Sequence, residues 1–267
     1  MLPKLPNEDR WNNWRWQLQN SLTTSDDFDK LLGSSAAPEG FEKVTRQYPA
    51  RITPYYASLI NPEDPDDPIA LMTRPSLQEL DWEDFEEADP FGEEDGHIIH
   101  RYEDRVLVIT TRTCATYCRY CTRKSSVGPG QLHLSNEQLA EITAYLSAHP
   151  KVRDVILSGG DPLVLPDRHI DDLLNAIGAA PNKVWIRIAT RAPVVNPMRI
   201  TDQLIALLKK RAPVYISTHF NHPNELTPEA MEACRKLIDA GVPVNNQTVL
   251  LSNVNDKAEI LETLFTK

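Results

Sequence analysis

No run of about 18 consecutive apolar residues occurs in the chain, which excludes a membrane-spanning helix. Met1–Arg10 (MLPKLPNEDR) lacks the basic start and apolar centre of a secretory leader. Basic residues are outnumbered, 28 against 38 acidic, and the net charge of −10 argues against non-specific nucleic-acid binding as the main activity. Glycine is scarce, 10 residues against 21 prolines, the reverse of average usage. The prolines are scattered and mark no single linker; their densest cluster, Asn61–Pro68, reads as a turn-rich, extended connector. There is no internal repeat. Cysteine is limited to four residues, and without a leader they do not read as a disulfide framework. What remains is a chain of 267 residues, 41% apolar and 25% charged, the mix of a soluble globular protein of one or two domains.

The acidity is local. Glu79–Asp95 holds ten acidic residues and no basic one, and the rest of the chain is balanced. This stretch reads as a solvated surface segment rather than a metal site. Before it, Trp11, Trp14, Leu18 and Leu22 recur at helical spacing over Asn7–Leu22, which predicts one amphipathic helix with the tryptophans as packing anchors. Residues 25–99 read as short helices and Pro-rich connections. The first hundred residues are therefore a mostly helical N-terminal extension that contains the acidic connector.

From residue 101 onward the pattern becomes regular. Strands are predicted at 106–110, 152–158, 183–189, 214–218 and 244–251. Each is followed by a helix, at 135–148, 169–177, 201–210, 227–240 and 257–265, the first with Ser135 as N-cap. Five strand–helix pairs in succession imply an α/β fold with a parallel sheet and right-handed crossovers, a full or partial (β/α) barrel. Such folds place their sites at the C-terminal ends of the strands. Those ends carry Cys114, Ser158–Asp161, Arg191, His219–Asn221 and Gln247.

Three of the four cysteines, Cys114, Cys118 and Cys121, lie within eight residues after the first strand. A Cys-x3-Cys-x2-Cys loop can bind three irons of a 4Fe–4S cubane and leave the fourth open to a small molecule. Zinc is the alternative, with His97, His100 or Cys234 as a fourth ligand. After the second strand comes Ser158-Gly159-Gly160-Asp161-Pro162-Leu163. Its glycines allow close backbone approach, and Asp161 reads as an organiser of the turn rather than a ligand contact.

The cysteine loop, followed on the next strand by the Gly-Gly turn, resembles the radical S-adenosylmethionine (radical SAM) superfamily. The likeness sharpens with His100-Arg101-Tyr102 and Arg105, Cys121-Thr-Arg123-Lys124, Thr218-His219-Phe-Asn221-His222-Pro-Asn224-Glu225, Asn246-Gln247 with Asp256 beyond it, and Trp11-Asn-Asn-Trp14-Arg-Trp16-Gln. Together these motifs resemble lysine 2,3-aminomutase and its relatives from about Trp11 to the last residue. The resemblance implies a partial (β/α) barrel of the radical SAM type and movement of an α-amino group to the β carbon of an amino acid, foremost L-lysine. It implies Cys114, Cys118 and Cys121 as cluster ligands, and Gly159, Gly160, His219 and Gln247 around S-adenosylmethionine. Arg101, Tyr102 and Arg105 would lie near the phosphate of pyridoxal 5′-phosphate (PLP), and Arg123 would pair with the substrate carboxylate. His222 and Glu225 read as ordinary helix-start residues, and Cys234 as core.

Further expectations follow from the same resemblance: an electron donor such as a flavodoxin or ferredoxin, a homo-oligomer, a cytoplasmic setting, and neither nucleic acid nor membrane as partner. The sequence also departs from the family. Its members have a sixth strand–helix unit followed by a Gly-rich segment with the PLP-binding lysine; no such segment is present, and Lys257 and Lys267 match no family lysine. The fifth strand would then be an open edge. Alternative readings are a truncated or partial cluster-binding module without aminomutase turnover, and a radical SAM enzyme that works without PLP. A relative that modifies a lysine of a translation factor offers another substrate; the Cys-Thr-Arg-Lys segment and the N-terminal helix favour a free amino acid.

Overall fold

The computed structural model describes residues 7–32, 38–81, 96–124, 126–128, 130, 133–211 and 213–267. Most of the acidic stretch, residues 82–95, lies outside them. One six-stranded sheet runs in sequence order: β1 (Ile98–Tyr102), β2 (Arg105–Thr111), β3 (Asp154–Gly159), β4 (Trp185–Ala189), β5 (Val214–Thr218) and β6 (Val244–Asn246). β2 to β6 pair in parallel, as the strand–helix alternation requires. β1 is an addition to the expected five. It turns back at Glu103-Asp104 to pair antiparallel with β2 through Tyr102↔Arg105 and Ile99↔Leu107. Its sequence, IIHRY, has no clear alternation, and its pairing is irregular between Ile99 and Tyr102. The division expected at residue 100 falls inside this strand.

Alternation along β2–β5 builds the core. Val106, Val108, Val155, Leu157, Ile186, Ile188, Val214 and Ile216 point outward and are buried. They pack against α7 (Asn136–Ala148), α8 (Asp167–Gly178), α10 (Asp202–Lys210) and α11 (Pro228–Asp239), which present Ile142, Leu146, Ile170, Leu174, Leu204, Leu208 and Leu237. Each such aliphatic side chain contributes about 1.5–3 kcal/mol on burial. α7 begins as expected, with Ser135 and Gln138 forming a reciprocal capping box. The residues between, Arg105, Leu107, Ile109, Ile156, Ser158, Arg187 and Tyr215, face the concave side and are only half-buried. The sheet thus has one face sealed by helices and one face lining a lumen.

The extension differs from the single expected helix. α1 (Glu8–Trp11) and α2 (Trp14–Gln19) are separated by Asn12-Asn13, because the Asn13 side chain accepts from the amides of Arg15 and Trp16 and restarts the helix. Trp14 is buried, with the Arg199 guanidinium 4.5 Å from its ring, and Trp11 is half-buried. The short helices α3 (Ser25–Leu32), α4 (Phe41–Thr45), α5 (Pro54–Ala57) and α6 (Pro68–Thr73) follow. Phe28, Phe41, Ile52, Tyr55, Tyr56, Ile69 and Met72 from this region form a second core with Ala115, Val194, Val195 and Phe220, which follow the C-terminal ends of the strands. α9 (Ala192–Val195) belongs to this second core. The extension is packed onto the site end of the barrel.

β6 spans three residues, where a strand over 244–251 is expected. Beyond Asn246 the chain leaves the ladder for side-chain amides. Val249 N donates to Asn221 Oδ1 (2.9 Å), Leu251 N to Asn255 Oδ1 (2.7 Å), and Asn255 Nδ2 to the Asn221 and Val249 carbonyls (2.8 Å each). α12 (Ala258–Thr266) closes the described chain. β1 and β6 are the sheet's two edges, and beyond β6 Leu250 and Phe265 are largely exposed.

Candidate functional site

The cysteine loop leaves the C-terminal end of β2 and is held from below by the extension. Tyr117 N donates to the Arg51 carbonyl (2.9 Å) and Arg119 N to the Met72 carbonyl (2.9 Å). Arg119 forks onto Glu79 (Nε–Oε1 2.9 Å, Nη2–Oε2 2.7 Å) and also reaches the Pro49 carbonyl. Lys124 Nζ joins Glu79 at 3.2 Å and lies 4.3 Å from the Tyr48 ring. Glu79, the first residue of the acidic stretch, is therefore a buried ion-pair partner rather than a solvated surface residue. Ala115, Thr116 and Tyr117 are buried. Within the loop, Cys121 N donates to the Cys118 carbonyl, and Arg123 N to the Cys121 sulfur at 3.3 Å.

Burial raises the Cys114 thiol well above its usual value, helped by Asp161, Cys121 and Cys118. Burial, with Cys118 beside it, pushes the Cys121 thiol up to about 11. Thiols held together in this way form a donor set that a cation would convert to thiolates. Among the described residues, no three His, Cys, Asp or Glu side chains converge as they would around a single ion. A cubane needs no such convergence, because each thiolate binds a different iron. The fourth ligands considered for zinc are engaged elsewhere: His97 Nε2 at the Gln138 carbonyl, His100 Nδ1 at the Tyr145 hydroxyl, and Cys234 buried in α11. The loop fits a 4Fe–4S cluster better than a closed zinc site.

The Gly-Gly turn docks against this loop. Gly160 N donates to the Thr111 carbonyl (2.6 Å) and Asp161 N to the Thr113 carbonyl (2.9 Å). A Cβ on Gly160 would lie 2.3 Å from Thr113 O, and one on Gly159, whose φ is +114°, would lie 2.5 Å from Thr111 O. Close approach is therefore what demands glycine here. Asp161 is buried and accepts from Leu163 N (2.9 Å), Thr190 Oγ1 (2.6 Å) and Arg191 N (2.9 Å), so it organises the turn and fixes the end of β4.

His219 and Gln247, at the ends of β5 and β6, are hydrogen-bonded through their side chains. Burial and the Arg191 charge lower the His219 pKa to about 4, so its imidazole is neutral at pH 7. Arg123 Nη1 lies 3.4 Å from Ser158 Oγ, beside the Gly-Gly turn. Cys114, Cys118, Cys121, Arg123, Gly159, Gly160, His219 and Gln247 thus gather at one end of the barrel.

Arg101, Tyr102 and Arg105 do not join them. They flank the β1–β2 turn at the other end of β2, about 20 Å away by strand rise. Arg105 faces the lumen, with Nε 3.6 Å from Asp154 Oδ2 and 3.8 Å from Asp104 Oδ1, and its guanidinium 5.4 Å from the exposed Tyr102 ring. Arg187 forks onto the same Asp154 (3.0 and 2.5 Å). The lumen thus has a sulfur end and a mouth where Arg105 and Arg187 share Asp154.

Two groups at the sulfur end carry no signal that a spacing argument could read. Arg191 Nη1 donates to Cys118 Sγ (2.9 Å), and its Nη2 to Glu225 Oε1 (2.5 Å) and Tyr56 OH (3.0 Å). Glu225 is fully buried and does more than start the turn at Pro223–Glu225. It also accepts from the Tyr56 hydroxyl (2.5 Å) and from Asn221 N (2.5 Å). An arginine at a strand end and a glutamate in a capping box look ordinary until the fold brings them together.

The chain compares closely with known proteins. The Radical SAM superfamily profile matches residues 108–264. L-lysine 2,3-aminomutase of Bacillus subtilis (strain 168) is 41% identical over 97% of this chain and 56% of its own length. Glutamate 2,3-aminomutase of Clostridioides difficile (strain 630) is 42% identical over 96% of this chain and 62% of its own. A putative L-lysine 2,3-aminomutase of Aquifex aeolicus (strain VF5) is 42% identical over 97% of this chain and 72% of its own. The chain spans about 56–63% of the length of the first relatives it matches. Profile, identity and coverage agree with the cysteine loop and the Gly-Gly turn: this chain belongs to the radical SAM superfamily, in its lysine 2,3-aminomutase family.

Proposed function

We propose that this chain holds a 4Fe–4S cluster on Cys114, Cys118 and Cys121, cleaves S-adenosylmethionine at its open iron, and serves a 2,3-migration of the amino group of a free amino acid, foremost L-lysine. The observation that carries this reading is the docking of the three-cysteine loop onto the Gly159-Gly160 turn within one group of strand ends. When bound, the reduced cluster supplies the electron that splits the sulfonium.

The residues around it have separable tasks. Gly159 and Gly160 leave the backbone beside the loop free of side chains for the methionyl group. His219, neutral and bonded to Gln247, offers hydrogen bonds without adding charge. Arg123, on the cluster side of the lumen, offers a bidentate fork to a carboxylate. At the far mouth, Arg101, Tyr102 and Arg105 would take the phosphate of PLP, which when bound would supply a conjugated π system across which the nitrogen can migrate. Identity to relatives is similar for lysine and glutamate aminomutases, so it does not choose between those substrates. An electron donor of flavodoxin or ferredoxin type, a homo-oligomer and a cytoplasmic setting belong to the same proposal. Among the described residues no helix is long and apolar enough to cross a membrane.

One observation favours a second reading, radical chemistry without PLP. Asp154 takes the Arg187 fork and sits near Arg105, so part of the positive charge at that mouth is already compensated. The test is the PLP content of anaerobically purified, iron-reconstituted protein, with β-amino acid product assayed in parallel. PLP retained by the wild type and lost in Arg105→Ala, with iron unchanged, supports the aminomutase reading. Iron without PLP and without β-amino acid supports the second.

A further inference from the structure

Arg191 is fixed before its side chain begins. Its amide donates to Asp161, and the preceding residue, Thr190, donates to Asp161 through Oγ1 and to the Ser217 carbonyl (3.0 Å) through its amide. From this anchor the guanidinium crosses to four partners: Cys118 Sγ, Glu225 Oε1, Tyr56 OH and, through Nε at 3.4 Å, the His219 carbonyl. It lies 5.3 Å from the Tyr56 ring and 5.8 Å from the Tyr120 ring, and its side chain is 11% exposed. Glu225, 0% exposed, is its counter-charge and is itself held by Tyr56, Asn221 and His222. A cation and an anion with so little solvent around them act on a neighbouring sulfur with little screening.

We infer that Arg191 is a positioning residue that sets the reduction potential of the cluster through its contact with Cys118, with Glu225 as the counterweight that limits its effect. The inference rests on the cluster reading proposed above. Reduction adds one electron to the cluster, and hydrogen bonds to ligand sulfurs together with local charge set how readily that electron is accepted. Arg191 supplies both, an N–H aimed at a ligand sulfur and a positive charge. Glu225 opposes it from the other terminal nitrogen of the guanidinium. Tyr56 of α5 touches both charges, so the N-terminal extension takes part in holding the pair.

A purely structural ion pair and an electrostatic control differ in sign. Loosening the loop would move the potential the same way whichever partner is lost. Electrostatic control moves it in opposite directions. Anaerobically reconstituted wild type, Arg191→Gln, Arg191→Lys and Glu225→Gln are titrated with reductant while the reduced cluster is followed by EPR. The midpoint potential is expected to become more negative in Arg191→Gln, less negative in Glu225→Gln, and to shift by less in Arg191→Lys, which keeps the charge and loses the fork. If Arg191→Gln does not fold, Glu225→Gln carries the test alone, and an unmoved potential there overturns the inference. Potentials that stay put, or move the same way in both neutralised variants, overturn it and leave the cluster reading intact. A wild type that takes up no iron overturns the cluster reading itself.

Discussion

Arg119 Nη2 donates to Glu79 Oε2 across 2.7 Å, and the two side chains are 8% and 10% exposed. This pair spans 40 positions of sequence and fastens the cysteine loop to the extension. It also places a member of the acidic stretch inside the protein. Removing one partner of a buried pair leaves the other charge uncompensated, at a cost of about 3 kcal/mol. Glu79→Gln should therefore lower stability by about that amount in urea unfolding, because the carboxylate shared by Arg119 and Lys124 is lost. A change below about 0.5 kcal/mol, the usual scatter of surface substitutions, would show the pair to be incidental.

The glycines of the turn give a matched contrast. Gly160→Ala drives a Cβ to 2.3 Å from the Thr113 carbonyl, whereas Gly178→Ala, at the end of α8, meets nothing within 4 Å. Gly160→Ala should cost about 2 kcal/mol or more. It should also weaken S-adenosylmethionine binding, read by equilibrium dialysis. Gly178→Ala should be neutral or stabilise by roughly 0.5 kcal/mol. Equal stabilities for the two variants would contradict the close approach of the turn to the loop.

His219 gives the cluster-free protein a stability that depends on pH. Its folded pKa, about 4, lies below the ordinary histidine value of 6.5. Between those values the unfolded chain binds more protons than the folded one, so stability falls as pH drops from about 6.5 towards 4 and is fully present above that window. Urea midpoints measured across this range should fall more steeply for the wild type than for His219→Asn. Parallel slopes would place the titration elsewhere.

Much of this architecture was legible in residues. Short apolar runs such as 106–110 located the parallel strands, and the structure shows Val106, Val155, Ile186 and Val214 on their sealed face, alternating with half-buried partners. Ser135 announced its helix through the chemistry of a cap. β1 was not legible, because IIHRY has no period and pairs only once β2 is in place. Nor was the break at Asn12-Asn13, where one side-chain cap overrides a helical spacing of tryptophans. In the site, the cysteines and glycines stood out because their chemistry needs neighbours in sequence. Arg191 is placed at a strand end and Glu225 in a motif, but their pairing, and the parts played by Tyr56 and Glu79, were not legible, because the partners are distant in the chain: Arg191 meets Tyr56 across 135 positions.

Cysteine substitutions separate ligand from core. Anaerobic reconstitution should give about four irons per wild-type chain. Cys114→Ala, Cys118→Ala and Cys121→Ala should each lose the cluster. Cys234→Ala should keep it, since that thiol is buried in α11 and packed in the second core. One zinc per chain with no iron uptake would restore the zinc reading.

The most direct test of the account is release of 5′-deoxyadenosine from S-adenosylmethionine by the reconstituted, reduced protein, measured by chromatography and mass. The wild type and Cys234→Ala are expected to form it, slowly and without added amino acid, while Cys114→Ala, Cys118→Ala and Cys121→Ala form none above background. Wild-type protein that carries its irons yet releases no more 5′-deoxyadenosine than a cluster-free control would contradict it.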